Sequence, residues 1–168
     1  FEADGVLPAL GKWMKLVGDK NMALETLIGI SSQRLLRILC EECKQGYAPD
    51  KELLRKFNIP AEKAKVLYRA GKVIYDKRGK PLTCENCQGT GFVGRIGIFE
   101  IITINDELRN AIMSLNSLSE IGTQLRHAKM LSLQEQAMKY VIEGRTAINE
   151  MVMAFSSGKK PQTPEAGE

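Results

Sequence analysis

The sequence predicts an α/β fragment, mostly helical, in which two strands bracket a small inserted subdomain and a helical bundle closes the chain. Three observations carry that expectation. Four cysteines form two Cys-x-x-Cys pairs, Cys40 with Cys43 and Cys84 with Cys87, separated by residues 44–83. A strand-like apolar run lies outside each pair, at 30–39 and 92–104. Residues 105–155 then carry short amphipathic segments with helix start signals.

In chain order, Leu7, Leu10, Trp13, Met14 and Val17 recur at helical spacing, and Gly18-Asp19 stops the run. Trp13, the one tryptophan, is expected in the core of that stripe. A second helix from about Asn21 carries Leu24, Leu27 and Ile28. The run from Ile30 to Leu39 reads as a strand that leads into the first cysteine pair, with Gln33, Arg34 and Arg37 as its polar members.

Each cysteine pair has the two-residue gap that lets both thiolates point at one metal ion, and two pairs complete the tetrahedron of a closed structural zinc site. Two disulfides, a redox pair and four unligated core thiols are the alternatives; no secretory leader is recognisable, and paired spacing speaks against the last. Four thiolates leave no position open for water, so a zinc ion there would be structural rather than catalytic. Within the insert, Asp50 is placed to cap a helix holding Leu53, Leu54 and Phe57. Pro60 is placed to open another, with Ala64, Val66 and Leu67 inside and Gly71 at its end. Val73-Ile74-Tyr75 and Leu82-Thr83 flank a turn-rich stretch, which suggests a hairpin back to the metal. So small a core should depend on the ion to fold.

After Cys87, residues 96–104 read as a strand buried on both faces, because both faces are apolar. Asn105 followed by Asp106 and Glu107, then Ser117-x-x-Glu120 and Ser132-x-x-Glu135, mark three helix starts. Gly144 suits a helix end, and Thr146 is placed to cap a last helix with Ile148, Met151, Val152 and Phe155 inward. Residues 156–168 should be a disordered tail.

The 168 residues carry 24 basic and 20 acidic side chains, a net charge of +4, and are 43% hydrophobic. That suffices for a buried core, and no apolar run approaches a membrane span. Aromatics are 6% of the chain and its basic residues are dispersed, poor material for a nucleic-acid surface. No GxxxxGK[ST] or GxSxG motif occurs, and the one histidine, His127, has no partner in sequence. No residue is assigned a catalytic role. The chain opens at Phe1 in mid-pattern, as a fragment would. Reduced thiols point to the cytoplasm.

The block Gln33-Arg34-Leu-Leu-Arg37-Ile-Leu39-Cys40-x-x-Cys43, then Cys84-x-x-Cys87-x-Gly89-Thr90-Gly91-Phe92-x-Gly94-Arg95-x-Gly97-Ile98-x-Glu100, closely resembles the C-terminal part of the type II secretion and type IV pilus assembly ATPases. Met130-Leu131-Ser132-Leu133 and Gly144-Arg145-Thr146-x-x-x-Glu150 resemble that family's closing helices. The resemblance implies hexameric cytoplasmic motors at the inner membrane that use ATP and Mg2+ and dock on secretion or pilus assembly proteins, without entering the membrane or binding nucleic acid directly. It divides the chain into the end of a RecA-like core (1–39), a protruding tetracysteine zinc subdomain (40–87), a strand returning to the core (88–104), a C-terminal helical subdomain (105–155) and the tail. It also suggests that Arg34, Arg37 and Arg95 contact nucleotide phosphate or a neighbouring subunit; the alternative is ion pairs that steady the strand-to-zinc junction.

The chain departs from the family's pattern at four places. Glu2 stands where a histidine is usual, Lys12 near the place of an arginine, Lys129 where a glycine is common and Met153 where an arginine is frequent. These differences suggest a divergent, catalytically weakened paralogue. A different class of function, a zinc-dependent non-enzymatic chaperone or interaction module, rests on Cys84-x-x-Cys87-x-Gly-x-Gly91, which resembles one zinc repeat of the J-protein chaperones.

Overall fold

A computed structural model describes residues 2–71, 74–75, 77–79 and 81–156. The expected tail from 157 onward and Val73 lie outside these residues. The element order is α1 (Val6–Val17), α2 (Lys20–Glu25), β1 (Gly29–Leu39), β2 (Gln45–Tyr47), α3 (Lys51–Lys56), β3 (Leu67–Arg69), β4 (Ile74–Tyr75), β5 (Pro81–Leu82), β6 (Phe92–Thr103), α4 (Asp106–Ser114), α5 (Leu118–His127), α6 (Leu133–Ile142) and α7 (Ile148–Phe155).

A long antiparallel ribbon of β1 and β6 forms the spine. Gly29 pairs with Thr103 and the register runs to Arg37 opposite Arg95, then slips by one residue so that Leu39 faces Phe92. All helices pack on one face of this ribbon. Ile30, Leu36, Ile98 and Ile102 point into them, whereas Leu35 (65% exposed), Phe99 (43%) and Ile101 (60%) stand on the other face. The strand at 96–104 is therefore present but not buried on both faces, because nothing among the described residues covers the second side. An antiparallel pair tolerates that arrangement, since its ladder does not require cover on both faces.

Two cores share the ribbon. One gathers Val6, Leu10 and Leu24 with Ile102, Ile104, Leu108, Ile112, Ile121 and Leu125, from α1, α2, α4, α5 and the end of β6. The other gathers Leu36 and Ile98 with Ile59, Ala64 and Leu67 of the insert and Leu133, Ala137, Val141, Ile148 and Met151 of α6 and α7. The four C-terminal helices are thus split between two cores instead of forming one bundle. The insert, too, is packed against α6 and α7 rather than holding a core of its own.

Local chemistry explains most boundaries. Both Ser-x-x-Glu sequences close reciprocal capping boxes, at Ser117/Glu120 and Ser132/Glu135. Asp50 and Asn105 cap α3 and α4 through Leu53 N–H and Leu108 N–H. The paired hairpin strands β4 and β5 lie where the turn-rich stretch predicts them. Helices α2 and α4 also exchange caps. The Lys20 ammonium donates to the Met113 and Leu115 carbonyls, at 2.9 and 2.5 Å. Arg109 donates to the carbonyls of Leu24 and Leu27. Cations at carbonyl ends complement the helix dipole.

Five expectations need correction. Residues 60–66 form no helix; Lys63 N–H closes a turn on Pro60, and Leu67–Arg69 is instead a strand paired with β2. Pairing of Leu67–Arg69 with Gln45–Tyr47 draws the chain into an extended form straight after that turn. Ile28 lies beyond α2 and is 79% exposed. Trp13 is only partly buried, its indole N–H donating to the Ala23 carbonyl at 2.9 Å. Val152 faces solvent, and Thr146 is no cap: Ala147 holds that position, while Thr146 is fully buried against β1.

Candidate metal centre

The two cysteine pairs sit on tight turns at the two ends of the insert. Cys40 follows the last residue of β1, and Lys44 N–H returns to the Cys40 carbonyl at 2.9 Å. Cys84 and Cys87 occupy the turn between β5 and β6, where Thr90 N–H and hydroxyl both donate to the Cys87 carbonyl. Gly91 lets the second turn close on the first: its φ is +75°, and a Cβ there would meet that of Ala70 at 2.6 Å.

All four sulfurs lie within 4.8 Å of one another. The separations are 3.8 Å for Cys40 Sγ to Cys84 Sγ and 3.6 Å for Cys43 Sγ to Cys87 Sγ. A tetrahedron with metal–sulfur bonds near 2.3 Å requires sulfurs about 3.8 Å apart. The donor set therefore fits zinc, and both of these separations run across the two turns. A disulfide needs about 2.05 Å, and all four cysteines are free.

The electrostatics point the same way. Burial raises the Cys43 thiol to about 12, with its hydrogen bonds to Cys87 and Cys40 adding to the rise. Burial also raises Cys87, but the N–H of Gly91 donating at 3.3 Å and the thiol of Cys43 outweigh it, bringing Cys87 down to about 7. Four adjacent thiolates repel one another unless a dication sits among them, so ligand deprotonation and metal binding are one event. Asn86 Nδ2 donates to Cys40 Sγ at 3.6 Å, the kind of contact that holds a ligand in place from outside the metal's own shell.

The three singled-out arginines flank this centre without converging on one point. Arg34 donates to Asp4 Oδ1 at 2.8 Å and to the Ala154 carbonyl, and its guanidinium lies 5.6 Å from the Phe155 ring. Arg37 makes a two-pronged ion pair with Glu150 in the first turn of α7, Nε to Oε2 at 2.8 Å, and stacks 4.1 Å from the Phe92 ring. Glu150 and burial act on Arg37 in opposite senses; the Glu150 hydrogen bond wins and raises its pKa. Arg95 is exposed, directly opposite Arg37, and forms no ion pair with the described residues.

Several structural partners escape a reading by local pattern. Glu100 is buried at the start of α1, Glu150 is buried beneath Arg37, and the Gln136 side chain exchanges hydrogen bonds with both backbone groups of Phe99, covering that edge of β6. Glu150 had a signal, because it ends the Gly144-Arg145-Thr146-x-x-x-Glu150 block. Gln136 had none. His127 lines a cavity of about 770 Å³ with Glu107, Gln124, Lys129 and Gln136.

Comparison with known proteins covers nearly the whole chain. The family model for the type II/IV secretion system protein matches residues 3–153. The type IV pilus assembly ATPase PilB of Thermus thermophilus is 36% identical over 126 residues, which is 75% of this chain and 13% of that protein. Type II secretion system protein E of Dickeya dadantii is 31% identical over 153 residues, 90% of this chain and 28% of that protein. Type II secretion system ATPase E of Vibrio cholerae is 30% identical over 127 residues, 76% of this chain and 23% of that protein. The chain thus spans less than a third of the length of each of these relatives.

Proposed function

We infer the function from one premise: this chain belongs to the type II/IV secretion system protein family. It serves as the C-terminal part of a hexameric motor ATPase that powers type II secretion or type IV pilus assembly from the cytoplasmic face of the inner membrane. Its own share of that work is mechanical. Structural zinc fixes the insert, the insert and α6–α7 form one packed body, and the exposed surfaces take neighbouring subunits or membrane-embedded assembly proteins. ATP and Mg2+ would be held by a phosphate loop carried elsewhere in such a protein, since no GxxxxGK[ST] occurs here. No helix among the described residues is long and apolar enough to cross a membrane.

The observation that carries the reading is the sulfur tetrahedron, spaced for zinc within 3–153 of that family's match. Nothing specific favours the chaperone-module alternative. Native mass spectrometry with and without a strong chelator tests the proposal: one zinc per chain, lost on chelation together with compact structure in the insert, is the expected result. A metal-free chain that stays folded would remove zinc from it.

Of the arginines, Arg34 and Arg37 are occupied within the chain, which supports their role at the strand-to-zinc junction. Arg95 forms no ion pair with the described residues, and its charge would meet a phosphate or a neighbouring subunit's carboxylate. The departures at Glu2, Lys12, Lys129 and Met153 support a weakened motor. ATP hydrolysis by the full-length protein at the rate of its relatives would end that idea.

A further inference from the structure

We propose that the α6–α7 turn at residues 144–146 is a relay between the tetracysteine centre and α7, so that metal loading holds α7 against β1 and metal loss releases it. This rests on the zinc reading and goes beyond it.

Several connections from the two cysteine turns to the end of the chain run through this turn or land on α7. Leu39, the residue before Cys40, donates its N–H to the Arg145 carbonyl at 2.9 Å. Lys44, the residue after Cys43, donates its ammonium to the Gly144 carbonyl at 3.3 Å while lying 4.8 Å from the Tyr68 ring. Thr146, 0% exposed, donates its hydroxyl to the Arg37 carbonyl at 2.8 Å. Gly144 presses on Tyr68 so closely that a Cβ there would meet the ring at 2.6 Å. From the second cysteine pair, Gly91 N–H donates to Cys87 Sγ, and the next residue, Phe92, supports the guanidinium that grips Glu150 of α7.

The metal joins the two cysteine turns; without it, only weak sulfur contacts and backbone bonds such as Cys40 N–H to the Gly91 carbonyl hold them together. The residues flanking Cys40–Cys43 are the ones that grip the turn, so loosening the first pair loosens Gly144–Thr146. The other core, built from α1, α2, α4 and α5, has no such link. A device of this kind would let occupancy of one site set the mobility of a helix on another, and the coupling must be reciprocal: whatever weakens the grip on the turn also weakens hold on the metal.

Hydrogen exchange of the zinc-loaded 168-residue chain, before and after chelation, tests the relay. Chelation should speed exchange at Leu39, Arg145, Glu150 and Met151 by roughly 10-fold or more while α1, α4 and α5 keep their protection. The second arm is Thr146→Val, which keeps the volume and removes the hydroxyl. It should weaken zinc affinity, read by equilibrium competition with a chelator, roughly 5-fold or more, whereas Ser117→Ala, which loosens α5 in the other core, should leave that affinity unchanged. Exchange that rises only at 40–47 and 82–91 on chelation, or across the whole chain, would overturn the relay, as would unaltered zinc affinity of Thr146→Val. A chain that takes up no zinc would remove both the metal reading and the relay, so the two failures are distinguishable.

Discussion

The Glu100 carboxylate on β6 accepts the N–H of Val6, the first residue of α1, at 2.7 Å across 94 positions of sequence. Helix α1 has no cap from its own flank, because Gly5 precedes it. The acid that ends the Gly-Arg-x-Gly-Ile-x-Glu block therefore supplies that cap from the sheet, and its charge sits where the helix dipole favours it.

Glu100→Ala should lower stability in urea by about 1–2 kcal/mol, the cost of losing a cap and leaving a buried N–H unpaired. Glu100→Gln keeps an acceptor and should lose about half as much. Equal effects from both would mean that Glu100 matters through its volume.

The Arg37–Glu150 pair ties β1 to α7. A double-mutant cycle with Arg37→Met and Glu150→Gln should give a coupling of about 1 kcal/mol, reduced by salt because the arginine is nearly half exposed. Arg95→Gln, on an exposed and unpaired side chain, should leave stability within about 0.5 kcal/mol. In the full-length motor the same change should slow ATP hydrolysis if Arg95 meets a phosphate or a neighbouring subunit.

Lys129 and Gly144 occupy the same left-handed backbone region, at φ +58° and +69°. Glycine adopts that region without strain, so Lys129→Gly should leave stability unchanged or raise it by up to about 1 kcal/mol. Gly144→Ala should cost about 1–3 kcal/mol, from its φ and from the Tyr68 ring in its path. Thermal unfolding of both variants checks the opposite signs.

What was legible in the sequence was local. Two-residue cysteine gaps, Ser-x-x-Glu boxes and apolar runs each specify their own neighbourhood, so the clustering of the four cysteines, four of the seven helix starts among the described residues and both long strands could be read directly. Partition of the helices between two cores could not, because amphipathic α4–α7 look alike whichever core they join. Thr146 failed for the same reason: a threonine before a helix reads as a cap until β1 arrives beside it. Strand β3 was hidden because its partner, Gln45–Tyr47, is only three residues long.

Acid should weaken α5 and α6 first among the helices. Glu120 and Glu135 have their pKa values lowered, chiefly by the backbone N–H groups of Asn116 and Ser132 respectively. A lowered folded-state value stabilises the protein above the unfolded carboxylate range, about pH 4.3. That contribution is lost as pH falls through the lower, folded value. Exchange in α5 and α6 should therefore rise below about pH 4.5, and Ser132→Ala should flatten the response in α6 alone.

Metal affinity should depend steeply on pH, with a break near neutrality. Cys43, at about 12, and Cys84, also raised, are protonated at pH 7 without metal, so a bound ion must displace both protons. Above pH 7 the apparent affinity should then fall at least about 100-fold for each unit of acidification. Below the Cys87 value of about 7 one more proton enters the balance, and the slope should steepen by about a further 10-fold per unit. The metal's contribution to stability is thus present at alkaline pH and lost on acidification. Competition titrations against a chelator of known protonation, run from pH 6 to 8.5, measure the slope directly. A flat profile would mean that these four sulfurs do not hold the ion.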